Sequence, residues 1–180
     1  GEQQPTNLGI AIPKELETLR TVIGWPALAV DPIAERLSIE GFRLPHQLTA
    51  DPDLWALWSA NEMPAQFAMG TLDALSMRSC WGTVGSPDSK GDPAVIRVES
   101  PLNMSAIWDG RTMTLQAVFQ CYKQDQALHA VLYLPGQSIY LNTDDRNVWQ
   151  VSRRDRHGYA GIPVERIVNR PRTHDRDGRS

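Results

Sequence analysis

Hydrophobic positions change their spacing once along this 180-residue chain, near Arg78. Before that point they recur with the roughly 3.6-residue period of helices, and after it they alternate as strands do. Residues 1–12 follow neither pattern and read as a flexible lead-in. Pro13 suits the first turn of a helix carrying Leu16, Leu19 and Ile23, which Gly24 ends. Asp31-Pro32 has the form of a second start, with Ile33 and Leu37 on one face. An acceptor stands at the cap, followed by a residue whose missing N–H is not needed there. Residues 39–44 turn extended. The same start recurs at Asp51-Pro52, ahead of Leu54, Trp55, Leu57 and Trp58 on one side of a helix that Asn61 stops. Pro64 opens another helix, bearing Phe67, Ala68, Leu72 and Leu75.

Beyond Arg78, Cys80–Val84 and Ala94–Val98 read as paired strands around a polar loop. Asp109-Gly110 predicts a hairpin turn, because both positions tolerate positive φ. The strand after it places Met113, Leu115, Ala117, Phe119 and Cys121 on a buried face. Thr114, Gln116, Val118, Gln120 and Tyr122 fall on a wetter one. Leu128–Leu134, Ser138–Asn142 and Val148–Ser152 continue an antiparallel meander, with turns at Pro135-Gly136 and Asp144-Asp145. A last strand-like run starts at Gly161. Helices first and strands afterwards is the order of an α+β domain. The expected layout is one domain over residues 13–168, helical to 78 and β-rich from 79, with the helices packed on a mainly antiparallel sheet. Residues 169–180 form a basic tail. Leu54, Trp58, Phe67, Leu72, Leu75, Leu115, Phe119 and Leu132 are the predicted core.

Charge changes the picture at one end. Residues 153–180 hold eight arginines against four acids, leaving residues 1–152 at a net −7. Arg153, Arg154, Arg156, Arg170 and Arg172 are the candidate contacts for a polyanion or another protein surface. A sequence pI near 5.8 argues against a general polyanion binder, whose footprint is a strongly basic domain. Cys80 and Cys121 form no CxxC and read as free thiols in a reducing compartment. No apolar run approaches the roughly 18 residues that span a bilayer. No signal-like start is present either, so the chain reads as soluble and made in a cytoplasm.

Candidate chemistry is thin. His46, His129, His157 and His174 lie far apart, and His129 shares its strand face with Val131 and Tyr133. The loop at 85–91 puts Lys90 before Gly91 and leads into a strand, whereas a Walker loop needs Gly-Lys-Ser/Thr leading into a helix. No G-x-S-x-G elbow occurs, and Cys121 has no neighbouring base in its strand to lower its pKa. Asp144-Asp145 lacks the further acids a calcium site needs and reads as a turn. The residues assign no catalytic, cofactor or metal site, and the chain is not read as an enzyme.

The order of segments is informative. An Ala-Glu-Arg-Leu helix precedes Gly41-Phe42-Arg43, and Leu54 to Met63 and the Pro64–Met77 helix come next. Ile96-Arg97-Val98-Glu99-Ser100-Pro101, Ile107-Trp108-Asp109 and Gly161-Ile162-Pro163-Val164 to Asn169-Arg170-Pro171 come after them in turn. This order resembles the N-terminal half of portal proteins from tailed double-stranded DNA phages and prophages, of siphophage type, over residues 15–178. The resemblance implies a wing-region fragment, with stem helices, clip and channel loop further along. It implies a structural subunit of a dodecameric ring in the virion, assembled in the bacterial host cytoplasm. Terminase, scaffold or capsid proteins and head–tail adaptors would be partners. Phage DNA would pass through the full-length channel, and no membrane or cofactor would be involved. The basic tail would approach the missing stem and meet acidic surfaces of the same or a neighbouring subunit. Alone, the chain is expected to be monomeric or weakly associated. Two rival readings stand beside this one. The first is a nucleic-acid-binding module using the Arg-rich C-terminal segment with Trp149 and Tyr159 as stacking partners. The second is a small hydrolase or sugar-binding domain.

Overall fold

The computed structural model describes residues 25–171 apart from 88, 126 and 145. The helix expected after Pro13, and Arg172 with the tail beyond it, lie outside the described residues. Among the described residues three helices come first: α1 (Trp25–Ala34), α2 (Pro52–Ala60) and α3 (Met63–Met77). Eight strands come next: β1 (Ser79–Gly85), β2 (Val95–Glu99), β3 (Met104–Trp108), β4 (Leu115–Gln124), β5 (Ala127–Leu134), β6 (Gln137–Thr143), β7 (Trp149–Arg156) and β8 (Val164–Val168). The α+β class read from the change of period is the class observed. The strands, however, divide into two antiparallel sheets, β2-β1-β8 and β3-β4-β5-β6-β7. The final strand leaves the meander and returns to pair with β1, Thr83 opposite Val164.

These elements stack in three layers. α3 lies on one face of the three-stranded sheet, and Gly70 faces Val98 and Cys80 there. A Cβ added there would stand 2.5 Å from Val98 Cγ1, so the helix sits this near only because the residue is glycine. The other face of that sheet meets the five-stranded sheet. Trp81, Ile162 and Val164 from the first side pack with Val118, Val131 and Tyr133 from the second. The main core is therefore between the sheets, and the helices form an outer layer.

Local signals place the helices in part. Asp51 caps α2 as its sequence requires, its Oδ1 accepting the N–H of Asp53 at 3.0 Å and of Leu54 at 3.1 Å. These bonds to the anion hold the Asp51 carboxyl below its ordinary 3.8, the one from Leu54 most of all. The start expected at Asp31-Pro32 is a different matter: among the described residues α1 already runs from Trp25, and Pro32 sits inside its last turn. Only one intrahelical bond is forgone there, and the helix stops at Ala34. The predicted helical core is also shallower than expected. No residue of α2 is buried, and Leu72 of α3 is 39% exposed. Trp58 instead joins a half-buried aromatic row, 5.1 Å from Phe42 and 5.9 Å from Phe67 between ring centroids. A one-layer helical cover has solvent on its far side, so an apolar stripe on it is only half enclosed.

In β4 the predicted faces hold for Leu115 and are inverted after it. Ile107 stands opposite Ala117, but Trp108 stands opposite Leu115, so Gln116 is an extra residue in the strand. Such a β-bulge shifts the alternation by one. Leu115 points inward with Trp108; beyond the bulge Val118, Gln120 and Tyr122 point inward and Phe119 and Cys121 outward. Val118 is 0% exposed and Phe119 is 40% exposed. The hairpin before β4 is also built differently from the reading of its dipeptide. Positive φ falls on Met113, and the Asp109 carboxylate accepts the N–H groups of Arg111 and Thr112 at 2.8 and 3.0 Å.

The bulge makes a direct prediction. Val118→Ala is expected to destabilise the protein by about 2 kcal/mol in urea melts, and Phe119→Ala by under about 1 kcal/mol. The reverse ranking would contradict the bulged register.

Candidate interaction surfaces

The free edge of β2 is closed by two side chains. Asn61, which ends α2, donates from Nδ2 to the Ala94 carbonyl at 3.0 Å and accepts the Ile96 N–H at 2.8 Å. Gln66, in the first turns of α3, accepts the Val98 N–H at 2.8 Å and donates to the Ile96 carbonyl at 3.3 Å. Two amide side chains thus offer the edge what a further strand would, which removes a site of edge-to-edge pairing. The sequence marked Asn61 as a helix stop, which it is, and gave no notice of Gln66. The detectable signal is a pair of amides five positions apart across a helix–helix junction.

The opposite extreme of the five-stranded sheet is β7, where three of the candidate arginines lie. A second bulge, at Ser152, sets their facing: Tyr140 pairs with Arg153 and Leu141 with Val151. Arg153 falls on the inner side. Its guanidinium stands 5.5 Å from the Tyr140 ring centroid and 3.3 Å from the Asp155 carboxylate. Arg154 and Arg156 fall on the outer side, opposite Ile139 and Gln137. Arg170 is exposed just after β8, on the other sheet. The structure therefore brings Arg154 and Arg156 to one face, takes Arg153 into a local pair, and sets Arg170 apart.

The outer face of the five-stranded sheet carries exposed apolar residues on several strands. Ile107 is 65% exposed there, Val151 48% and Trp149 42%, and none of the described helices packs on it. Isolated exposed apolar residues are ordinary, but several of them on one sheet face, with Phe119 of β4 between the two edge strands, mark a candidate contact surface.

Between the sheets the interior is partly polar. Tyr133 donates its hydroxyl to Gln120 Oε1 at 2.8 Å, and Gln120 in turn bonds the Glu99 carboxyl. Burial pushes the pKa of both Tyr133 and Glu99 upward. At another point between the sheets a cavity of about 630 Å³ is lined by Pro87, Ile162, Val164, Ser138 and His157. His157 holds the Tyr159 carbonyl through Nδ1 at 3.1 Å. His129 is half-buried as its strand position predicts, stacked on Tyr122 and bonded to Asn142 at 3.0 Å. Cys80 and Cys121 are free thiols on different sheets. Among the described residues no group of three or more His, Cys, Asp or Glu could hold a metal ion. No described helix is long and apolar enough to cross a membrane.

No family model matches the chain. Two relatives are similar along almost all of it. Identity to the portal protein of Mycobacterium phage L5 is 32% over 189 aligned positions, which take in 99% of this chain and 38% of that protein. Identity to the portal protein of Mycobacterium phage D29 is 33% over 189 positions, 99% of this chain and 39% of that protein. The chain thus spans less than two fifths of the length of the relatives it matches.

The polar contacts generate two predictions. Gln66→Met keeps the side-chain bulk and leaves the Val98 N–H without its acceptor, so a loss of about 1–3 kcal/mol is expected. Hydrogen exchange should accelerate at Val98 before it does in β5, and uniform exchange across both sheets would contradict the clamp. Glu99 has a folded-state pKa above its ordinary 4.5, so its ionisation at neutral pH opposes folding. Below that ordinary value both states are protonated and the penalty is gone. Glu99→Gln is therefore expected to raise the thermal midpoint at neutral pH and to lose that advantage well below pH 4.5. A variant that melts lower at neutral pH would contradict this assignment.

Proposed function

The chain belongs to the portal proteins of phages, and from that premise we propose that it forms the outer, wing-like part of a portal ring. The observation that carries this reading is a likeness running over 99% of the chain, in both relatives, to proteins of that one name. In this reading the segment is structural and performs no catalysis. The ring of full-length subunits admits DNA during packaging and releases it at infection, with terminase, capsid and head–tail adaptor proteins docking on it. It resides in the virion after assembly in the host cytoplasm. Arg154, Arg156 and Arg170 then serve as contacts to protein surfaces, not as a DNA-binding arm. Two facts support that choice. The described arginines are divided between two sheets, and Arg153 already engages Asp155 and Tyr140. The net charge of −7 over residues 1–152 also works against a polyanion.

Antibodies raised against this chain should label purified virions at the single vertex that carries the tail. Labelling distributed over the whole capsid, or none, would overturn the proposal. Duplex DNA should bind the chain only weakly, with Kd of about 10⁻⁴ to 10⁻⁶ M at physiological salt and a steep loss as salt rises. Nanomolar binding that survives about 200 mM salt would favour the nucleic-acid module instead.

A further inference from the structure

The stacking order of helices, three-stranded sheet and five-stranded sheet leaves two broad surfaces at opposite ends of the molecule. One is the outer face of β3–β7. Its outward strand positions include the exposed Ile107, Phe119, Trp149 and Val151. The charges at those outward positions are Lys123, Arg154 and Arg156, and no acid stands among them. The other surface is the helical layer. Leu28 is 72% exposed there, Ile33 51% and Leu37 49%. Residues 25–78 hold seven acids against three arginines. Both ends are apolar, and their charges are opposite.

That combination selects among ways of pairing two copies. A two-fold contact would bring cationic face to cationic face, or anionic to anionic, around a desolvated apolar centre. A head-to-tail contact brings unlike faces together, and such heterologous contacts generate closed rings or open filaments. The geometry points to a subunit interface in which the outer sheet face of one copy seats against the α1–α2 face of the next. It rests on the ring reading proposed above and specifies which surfaces make the ring at this level. Lys123, Arg154 and Arg156 face the acids of the neighbour's helical layer, Asp31 and Glu35 among them, while Phe119 and Ile107 meet the exposed Leu28 and Ile33 of α1.

Two charge-reversed forms of the 180-residue chain test this by sedimentation equilibrium over a concentration series. One carries Arg154→Glu with Arg156→Glu, and the other carries Asp31→Lys with Glu35→Lys. Each puts like charges opposite one another at the reversed positions of the contact, so each alone is expected to associate about tenfold or more weakly than the unaltered chain. An equimolar mixture restores an unlike pair at every contact and is expected to recover the original affinity. Phe119→Asp, at a position already open to solvent, should abolish association while the circular dichroism spectrum stays unchanged. The interface is overturned by a mixture no stronger than either variant, by an unaltered chain that stays monomeric throughout, or by association that survives Phe119→Asp. The last two would assign the sheet face to another occupant, such as further polypeptide of the same subunit. Tail-vertex labelling combined with a failed mixture would discard this interface and leave the portal reading standing. Loss of the labelling would remove the portal reading itself.

Discussion

A sheet edge carries backbone N–H and carbonyl groups that must find partners, and at β2 they find side chains in place of a strand. Asn61 and Gln66 occupy the bonds of Ala94, Ile96 and Val98. Both residues flank the short link between α2 and α3, so the same four bonds that close the edge also fix two helices to the sheet. α2 buries none of its residues, so these bonds add to the half-buried row of Phe42, Trp58 and Phe67 in holding it. With them in place, α3 can settle against β1 and β2 at the glycine that admits it, and the helical layer acquires a defined outer surface. The position of that surface is what any contact with a neighbouring molecule depends on.

The other organising feature is the division of the strands. By leaving the meander to pair with β1, β8 completes the small sheet, and the run Ile162–Val164 closes one side of the inter-sheet core. That core mixes aliphatic and polar groups. Val118 and Val131 pack beside Gln120, which is 5% exposed and satisfied by Tyr133. Satisfied polar networks of this kind favour one packing arrangement over its alternatives, because any slip leaves a buried group unpaired. The five-stranded sheet is consequently well determined on its inner side and left uncovered by the described helices on its outer side. A fold with one finished face and one open face is suited to assembly.

Much of this was legible in the residues. The Asp51-Pro52 cap, the positions of β5 and β6, the turns at Pro135-Gly136 and Asp144, and the change of period near Arg78 all depend on local chemistry. The predicted core residue Leu132, however, falls on the outer face beside Phe119, while Val131 and Tyr133 face the core. The order of segments was also sufficient to identify the family. The features that escaped were non-local. Gln116 and Ser152 become bulge residues only because of the strands opposite them, and each bulge reverses the facing of the residues beyond it. That is why Phe119 lies outside and Val118 inside, and why Arg153 is the one turned inward while Arg154 faces out. Gln66 gave no sign of its role because its partners lie about thirty positions away. Pro32 resembled a helix start because the cap rule says nothing about whether a helix is already under way.

The α/β/β stack is proposed to form the outer region of a portal ring. The most direct test is an electron cryomicroscopy reconstruction of the tail vertex of the phage that encodes it. The expected result is a ring whose outer rim repeats this stack, with helices and three- and five-stranded sheets in the same order in every subunit and Asn61 and Gln66 against β2. A vertex ring in which this segment is absent from the rim, or builds a single continuous sheet without the helical cover, would contradict it.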